Sequence, residues 1–281
     1  MRISFLLLAI LITVQSSAQI LDLEKEWFEI DGFFNKNSIQ KRGIKSISIR
    51  SSNKYDGQKI KTKKDLLIFE FYPSGQLKRG LKVNEFINKL DTMSLSFYYD
   101  LENRLYKKIE HFKYYTFAYY YQYNKQGELV REIKIDVKDQ ASDTLYMRSY
   151  SYEQNDSLKI QFVRNENGKT FQTNRYLIKP NFKSIKISYT QNQSYLLDEF
   201  FYQEGRLKEW KVSAFYKDLN EMSFRYSFKQ NEIDEQDLYK GNILTLKRAI
   251  LYEPEGLIKN VVERNYAEQT IRIYFFDYNF Y

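Results

Sequence analysis

Cysteine is absent from this chain, histidine occurs once, tryptophan twice and proline three times. Each scarcity closes off a class of chemistry. Without cysteine there is neither a disulfide framework nor a thiol nucleophile, and with a single histidine the usual Cys/His zinc sites cannot be assembled. A Ser-His-Asp arrangement would have to use His111, which lies in the strand-like stretch KKIEHFKYY. No Gly-x-Ser-x-Gly turn offers it a nucleophile, so a packing or surface role is expected. A glycine-rich phosphate loop is missing too. Beyond the first eighteen residues no stretch is apolar and long enough for a membrane helix, which takes roughly 20 residues.

Those first eighteen residues read as a separate object. Arg2 supplies a positive start, Ile3 to Val14 is apolar, and Ser16-Ser17-Ala18 offers small residues before Gln19. That is the pattern of a secretory signal peptide cleaved after Ala18, which places the mature chain in the periplasm or outside the cell. Glutamine rather than cysteine follows the cleavage point, so a lipoprotein is not expected. With no disulfide to help, stability has to come from packing and strand pairing.

Aromatic residues are what the chain has in excess, with 26 tyrosines and 21 phenylalanines. They favour the pleated, half-buried surface of a sheet. Lysine and arginine outnumber acids by 44 to 36, but the excess is spread thinly, and the longest basic block is Lys61-Thr62-Lys63-Lys64. It reads as a solvated face, and an exported chain is not expected to meet nucleic acid. Two acidic runs stand out, Asp136, Asp139 and Asp143, then Glu232, Asp234, Glu235 and Asp237. Neither has the spacing or glycine of a calcium loop, and both read as solvated. A pair of acids for glycoside cleavage would be separated in sequence and is not legible here. Trp27 and Trp210 are expected to pack in a core or on a sheet face rather than stack on a sugar. No catalytic, cofactor or metal residue is therefore assigned, and the chain is read as non-enzymatic.

The strongest signal is a repeat. FYPSGQL, YDLENRL, YNKQGEL, YEQNDSL, FYQEGRL, SFKQNEI and YEPEGLI end on Leu77, Leu105, Leu129, Leu158, Leu207, Ile233 and Ile258, at intervals of about 25 residues. The gap from Leu158 to Leu207 is about double, which points to a decayed unit near Ile185. Two positions before each anchor stand Gly75, Asn103, Gly127, Asp156, Gly205, Asn231 and Gly256. These are the residue types that enter positive φ at low cost, as the last position of a short hairpin loop requires. Flanking segments alternate with period two, as in MSFRYSF from Met222 to Phe228. After Gly127, Leu129, Ile133, Ile135 and Val137 are expected on one face, with Glu132, Lys134 and Asp136 on the other. Leu207 and Trp210 cannot share a face of a regular strand, which calls for a bulge or a sheet covered on both sides. ILDLEKEWFEI, from Ile20 to Ile30, fits a short helix or an edge strand. VNEFINKL, from Val83 to Leu90, fits a helix or a connection.

The segment Tyr99-Asp100-Leu101-Glu102-Asn103-Arg104-Leu105 resembles the Tyr-Asp-x-x-Gly-Arg-Leu pattern of the tyrosine-aspartate (YD, Rhs-type) repeats of bacterial exported proteins, with Asn for Gly. Tyr123 to Leu129 keeps the spacing with Asn for Asp, and Phe201 to Leu207 keeps Gly-Arg-Leu. The similarity spans roughly residues 66 to 262. It implies a hairpin-by-hairpin sheet used as a scaffold or binding surface, with no catalytic residues in the repeat.

The expectation is an all-β fold of tandem antiparallel hairpins forming one long curled meander sheet. A signal peptide (1–18) and a segment of open structure (19–65) precede the repeat domain (66–281). The expected function is an exported non-catalytic scaffold or interaction module whose partner is a protein or glycan at the cell envelope. Membrane contact and pairing of a free sheet edge with a second chain are both open. The alternatives are an outer-membrane β-barrel and, behind it, an enzyme acting on polysaccharide.

Overall fold

Alternating residues between turn signals become eighteen strands in one antiparallel sheet. The computed structural model describes residues 19–281 apart from 56, 87, 88, 139–141, 217, 230 and 231. Residues 1–18, read above as a signal peptide, and Asn231 therefore lie outside the described residues. The first strands are β1 (Ile44–Tyr55), β2 (Lys61–Phe71), β3 (Leu77–Phe86), β4 (Lys89–Tyr99), β5 (Leu105–His111) and β6 (Thr116–Tyr123). Next come β7 (Leu129–Val137), β8 (Ser142–Asn155), β9 (Leu158–Arg164), β10 (Thr170–Lys179), β11 (Phe182–Tyr189) and β12 (Tyr195–Gln203). The last are β13 (Arg206–Tyr216), β14 (Asp218–Lys229), β15 (Glu232–Lys240), β16 (Ile243–Tyr252), β17 (Ile258–Asn265) and β18 (Thr270–Phe280). Of VNEFINKL, 83–86 belongs to β3 and 89–90 to β4, so neither described part is the expected helix or connection, and Ile87 and Asn88 lie outside the described residues.

Each strand pairs with its sequence neighbours, and β1 also pairs with β18, with Ile49 opposite Phe276 and Ile47 opposite Tyr278. The sheet is therefore a meander but not an open one. It closes into an eighteen-strand ring, and closure satisfies the backbone groups that an open sheet would leave on two edges. Among the described strands no edge remains for a second chain to extend.

The turn column works as its chemistry demands. Gly75 and Gly127 both have φ of +79°, Asn103 has +62°, and Gly205 and Gly256 have +74°. In the 124–128 turn, Gly127 N–H donates to the Asn124 carbonyl at 3.0 Å and Asn124 N–H to the Glu128 carbonyl at 2.9 Å. The register skips one residue just after the anchor. Phe201 faces Glu209 while Tyr202 faces Leu207, so Lys208 bulges and Leu207 and Trp210 both turn inward.

The aromatic column six residues before the anchor has its own task. Tyr123 donates its phenol to the carbonyl of Leu105, the previous unit's anchor, at 2.8 Å. Tyr99 does the same to Leu77 at 3.1 Å, Tyr152 to Leu129 at 2.9 Å and Tyr252 to Ile233 at 2.9 Å. Tyr278 extends the series to Ile258 at 2.9 Å. Each ring packs on the inner wall while its hydroxyl ties one hairpin's turn to the next.

Residues 19–43 form neither the helix nor the edge strand expected of Ile20 to Ile30. They make an irregular plug, with one bridge between Leu21 and Phe34 and a short helix α1 (Lys36–Lys41). Asn35 caps that helix by accepting the Ser38 N–H at 3.2 Å. Ile30 packs with Leu95 and Phe97 on β4, while Glu24 meets Lys183 on β11 and Tyr202 on β12. In a ring of eighteen, β3 and β12 stand directly opposite one another. A short segment that reaches both through the same face of the sheet lies inside the ring.

Gly80 on β3 makes this possible, because a Cβ there would fall deep within contact of the Ile30 carbonyl oxygen. Gly80→Ala is expected to push the plug off the wall and lower stability by about 1–3 kcal/mol. Gly127→Ala, which has open space and only an unfavourable φ, should cost about 1–2 kcal/mol. Urea unfolding with a tryptophan readout separates the two, since only Gly80→Ala should alter the native Trp27 signal.

Candidate functional site: the interior of the ring

Directly opposed residues on neighbouring strands share a face. Gly80, Leu95, Glu110 and Phe117 are successive register partners on the inner face, as are Phe97, Lys108, Tyr119, Lys134 and Tyr146. The inner wall has two distinct halves.

From β12 through β18 to β2 it is apolar and packed on the plug. Phe200, Trp210 and Phe224 stack at 5.6 and 4.7 Å between centroids, and Ile47, Ile49, Phe69, Ile233 and Ile258 are fully buried with them. Phe28 of the plug stacks on Tyr274 at 3.7 Å. One buried polar network crosses this apolar half. Arg248 donates to Glu263 at 2.9 Å and to Gln236 at 2.7 Å. Its guanidinium lies 5.6 Å from the Trp27 ring centre and 5.3 Å from that of Phe28. Gln236 donates to the Tyr226 hydroxyl at 3.2 Å, which donates in turn to the Leu23 carbonyl at 3.0 Å. The plug is held here by both packing and charge.

From β5 to β10 the inner wall is polar. Glu132 accepts phenol hydrogens from Tyr146, at 2.8 Å, and from Tyr150. Glu110 accepts from Tyr119 at 2.8 Å and pairs with Lys108 at 2.8 Å. Further round, Gln161 accepts from Asn174 at 2.7 Å and donates to the Tyr152 hydroxyl at 2.6 Å. Near the turn-bearing end of this sector lies a cavity of about 770 Å3. It is lined by Tyr152, Gln161 and Tyr176, with the Lys159–Glu128 pair, 2.7 Å apart, beside it. Eighteen strands enclose more space than wall side chains alone can fill.

In β7 the faces are the reverse of a simple core expectation. Ile133 and Ile135 point outward, beside Tyr120 and Ala118, while Glu132 and Lys134 point into the ring. The grouping of Ile133, Ile135 and Val137 against Glu132, Lys134 and Asp136 holds, with the interior belonging to the polar set, but the bulge after the turn sends Leu129, opposite Tyr123, to the inner face as well.

The outer wall of β13 to β17 is charged. Glu209, Arg225, Asp237, Lys247 and Arg264 are successive register partners on five neighbouring strands. Arg225 pairs with Glu209 at 3.2 Å and Lys247 with Glu235 at 2.7 Å. Across the closing seam Arg50 pairs with Asp277 at 2.8 Å.

The residues singled out from the sequence fall apart in space. His111 ends β5, exposed, with Nδ1 3.1 Å from the Thr116 hydroxyl. Lys138 neutralises Asp143 at 2.6 Å and Asp136 at 3.7 Å, and Asp139 lies outside the described residues. Among the described residues no His, Asp and Glu side chains group to hold a metal ion. Trp27 and Trp210 are both buried, and Trp210 donates to Asp198 at 2.9 Å. Burial raises the Asp198 carboxyl above its ordinary value despite that bond.

No family model and no curated protein matches the chain. Among solved structures it is similar to a porin-like protein from Bacteroides uniformis, with a TM-score of 0.45 and 10% identity over 85% of this chain and 97% of that one. A porin-like protein from Bacteroides vulgatus gives a TM-score of 0.35 and 7% identity over 84% and 98%. The expected scaffold or interaction module, working through an open sheet, is overturned by ring closure. The architecture is that of the barrel alternative.

Arg248→Ala would strand the Glu263 carboxylate in the interior, and a loss of about 3–5 kcal/mol is expected by urea titration. The double change Arg248→Met with Glu263→Leu should recover most of it. Alkaline stability follows from the inner tyrosines. Burial pushes the Tyr99 phenol up from 10.0 to about 12, so the folded chain holds that proton more tightly than the unfolded one. This contribution is intact below pH 10 and is lost as pH rises from 10 to about 12. Urea midpoints measured across that window should fall less steeply in Tyr99→Phe.

Proposed function

We propose that the protein is an exported barrel that holds a small polar solute inside its ring. The plug's path carries this reading. It crosses the diameter, fills the apolar half, and leaves the tyrosine- and amide-lined sector from β6 to β10 with its cavity of about 770 Å3. Ring faces, amides and a few convergent polar groups are what fix a ligand in such a space. Three charge pairs lie in and beside the sector, Lys108 with Glu110, Arg148 with Glu132 and Lys159 with Glu128, while Lys134 lies over the Phe117 ring at 4.0 Å. A neutral or zwitterionic molecule suits it better than an ion. The carboxylates are committed to tyrosines and lysines, which supports holding rather than converting.

An outer-membrane barrel is the second reading. It is favoured by the closed ring, the even strand number, and the pairing of β1 with β18, Ile44 opposite Phe280. A spanning ring needs an apolar band on every outward face. Strands β5 to β7 approach one, with Ile109, Ala118 and Ile135 as register partners. Strands β13 to β17 present Glu209, Arg225, Asp237, Lys247 and Arg264 instead. Each Arg or Lys facing lipid at the midplane costs about 2–4 kcal/mol, so a barrel bathed in water is the better reading.

The exported protein is expected in the soluble fraction without detergent. Native mass spectrometry of that preparation should show a bound small molecule, excluded by Asn174→Trp, which fills the sector. Recovery only from detergent-extracted membranes would favour the spanning barrel, and ligand-free spectra from every preparation would remove the solute-holding reading.

A further inference from the structure

We propose that the exported chain begins with pyroglutamate, formed from Gln19. The proposal is independent of what the ring holds and rests on the reading of residues 1–18 as a signal peptide cleaved after Ala18. Cleavage there makes Gln19 the first residue and gives it a free α-amino group. The structure shows what surrounds that new terminus. The Gln19 side-chain Nε2 is buried with no hydrogen-bond partner. The next two residues, Ile20 and Leu21, are 1% and 2% exposed within the plug's core. The Ile20 carbonyl accepts the Asn35 N–H at 2.8 Å, and Leu21 bridges to Phe34, so the backbone is fixed immediately after Gln19.

An uncyclised terminus would therefore bring two unfavourable groups to one place. One is an ammonium a single residue from a sealed apolar core, where desolvation disfavours charge. The other is an amide donor with nothing to accept it. One intramolecular reaction removes both. The α-amine attacks Cδ of its own side chain, the new N–Cδ bond closes a five-membered lactam, and the Cδ–Nε2 bond breaks. Nε2 departs as ammonia with the proton that the amine gives up, and no oxidant, reductant or co-reactant is consumed. The product is neutral and lacks the orphan donor. Because the fold buries the leaving nitrogen, the reaction belongs to the interval between cleavage and ring closure.

The test uses the full chain, expressed with its own leader in an exporting host and isolated from the envelope. Mass spectrometry of its N-terminal peptide should show a start at residue 19 with a mass lower by one ammonia. An amine-reactive label should miss the terminus until the denatured protein is treated with pyroglutamyl peptidase. A Gln19→Ala chain processed at the same bond should label freely. A start at unmodified Gln19 would overturn cyclisation while leaving the signal reading intact. A start elsewhere, or a retained leader, would overturn both.

Discussion

Everything in this structure depends on the pairing of β1 with β18 around a segment that has to be inside when the two meet. Strand pairing alone would satisfy the wall, but eighteen strands enclose a space too wide for wall side chains to fill. The plug converts half of that space into a core. Its aromatic residues, Trp27, Phe28, Phe33 and Phe34, supply the buried surface that the absent disulfides would otherwise have to replace. Gly80 admits its backbone, and the Arg248–Glu263–Gln236 network fixes its depth.

The consequence is a ring whose two halves follow opposite polarity rules. Where the plug sits, strands are apolar inside and charged outside, as in a sheet packed on a core. In β5 to β8 polar groups line the interior while Ile109, Ile133 and Ile135 face out. Tyrosine reconciles the two, because its ring packs on either wall and its hydroxyl finds a carboxylate, an amide or a carbonyl.

Much of the local structure was legible in the sequence, and the reasons are local. Positive φ can be met cheaply only by Gly, Asn or Asp, so the turn column announced itself. The clash between Leu207 and Trp210 in phase called for either a bulge or a sheet covered on both sides, and the structure has the bulge. The spacing of Tyr99, Tyr123, Tyr152 and Tyr252 was visible, but its purpose was not, since each bonds a carbonyl in the preceding unit. Closure was hidden for the same reason. It is a pairing between the two ends of the chain, and nothing in Ile44–Tyr55 or Thr270–Phe280 names the other. Which face turned inward in β7 was equally out of reach, because period two fixes the two sets of residues and not the side on which the interior lies. The plug was unreadable for want of any period at all.

The tyrosine that ends the described chain shows how late this architecture is settled. Tyr281 donates its backbone N–H to the Gly43 carbonyl at 3.0 Å, and its hydroxyl reaches the Phe71 carbonyl. The seam joins the two strands farthest apart along the chain. Until β18 arrives, a growing sheet of up to seventeen strands carries two naked borders, and the interval between the first hairpin and the eighteenth strand is when the polypeptide is most vulnerable to joining its neighbours instead of itself.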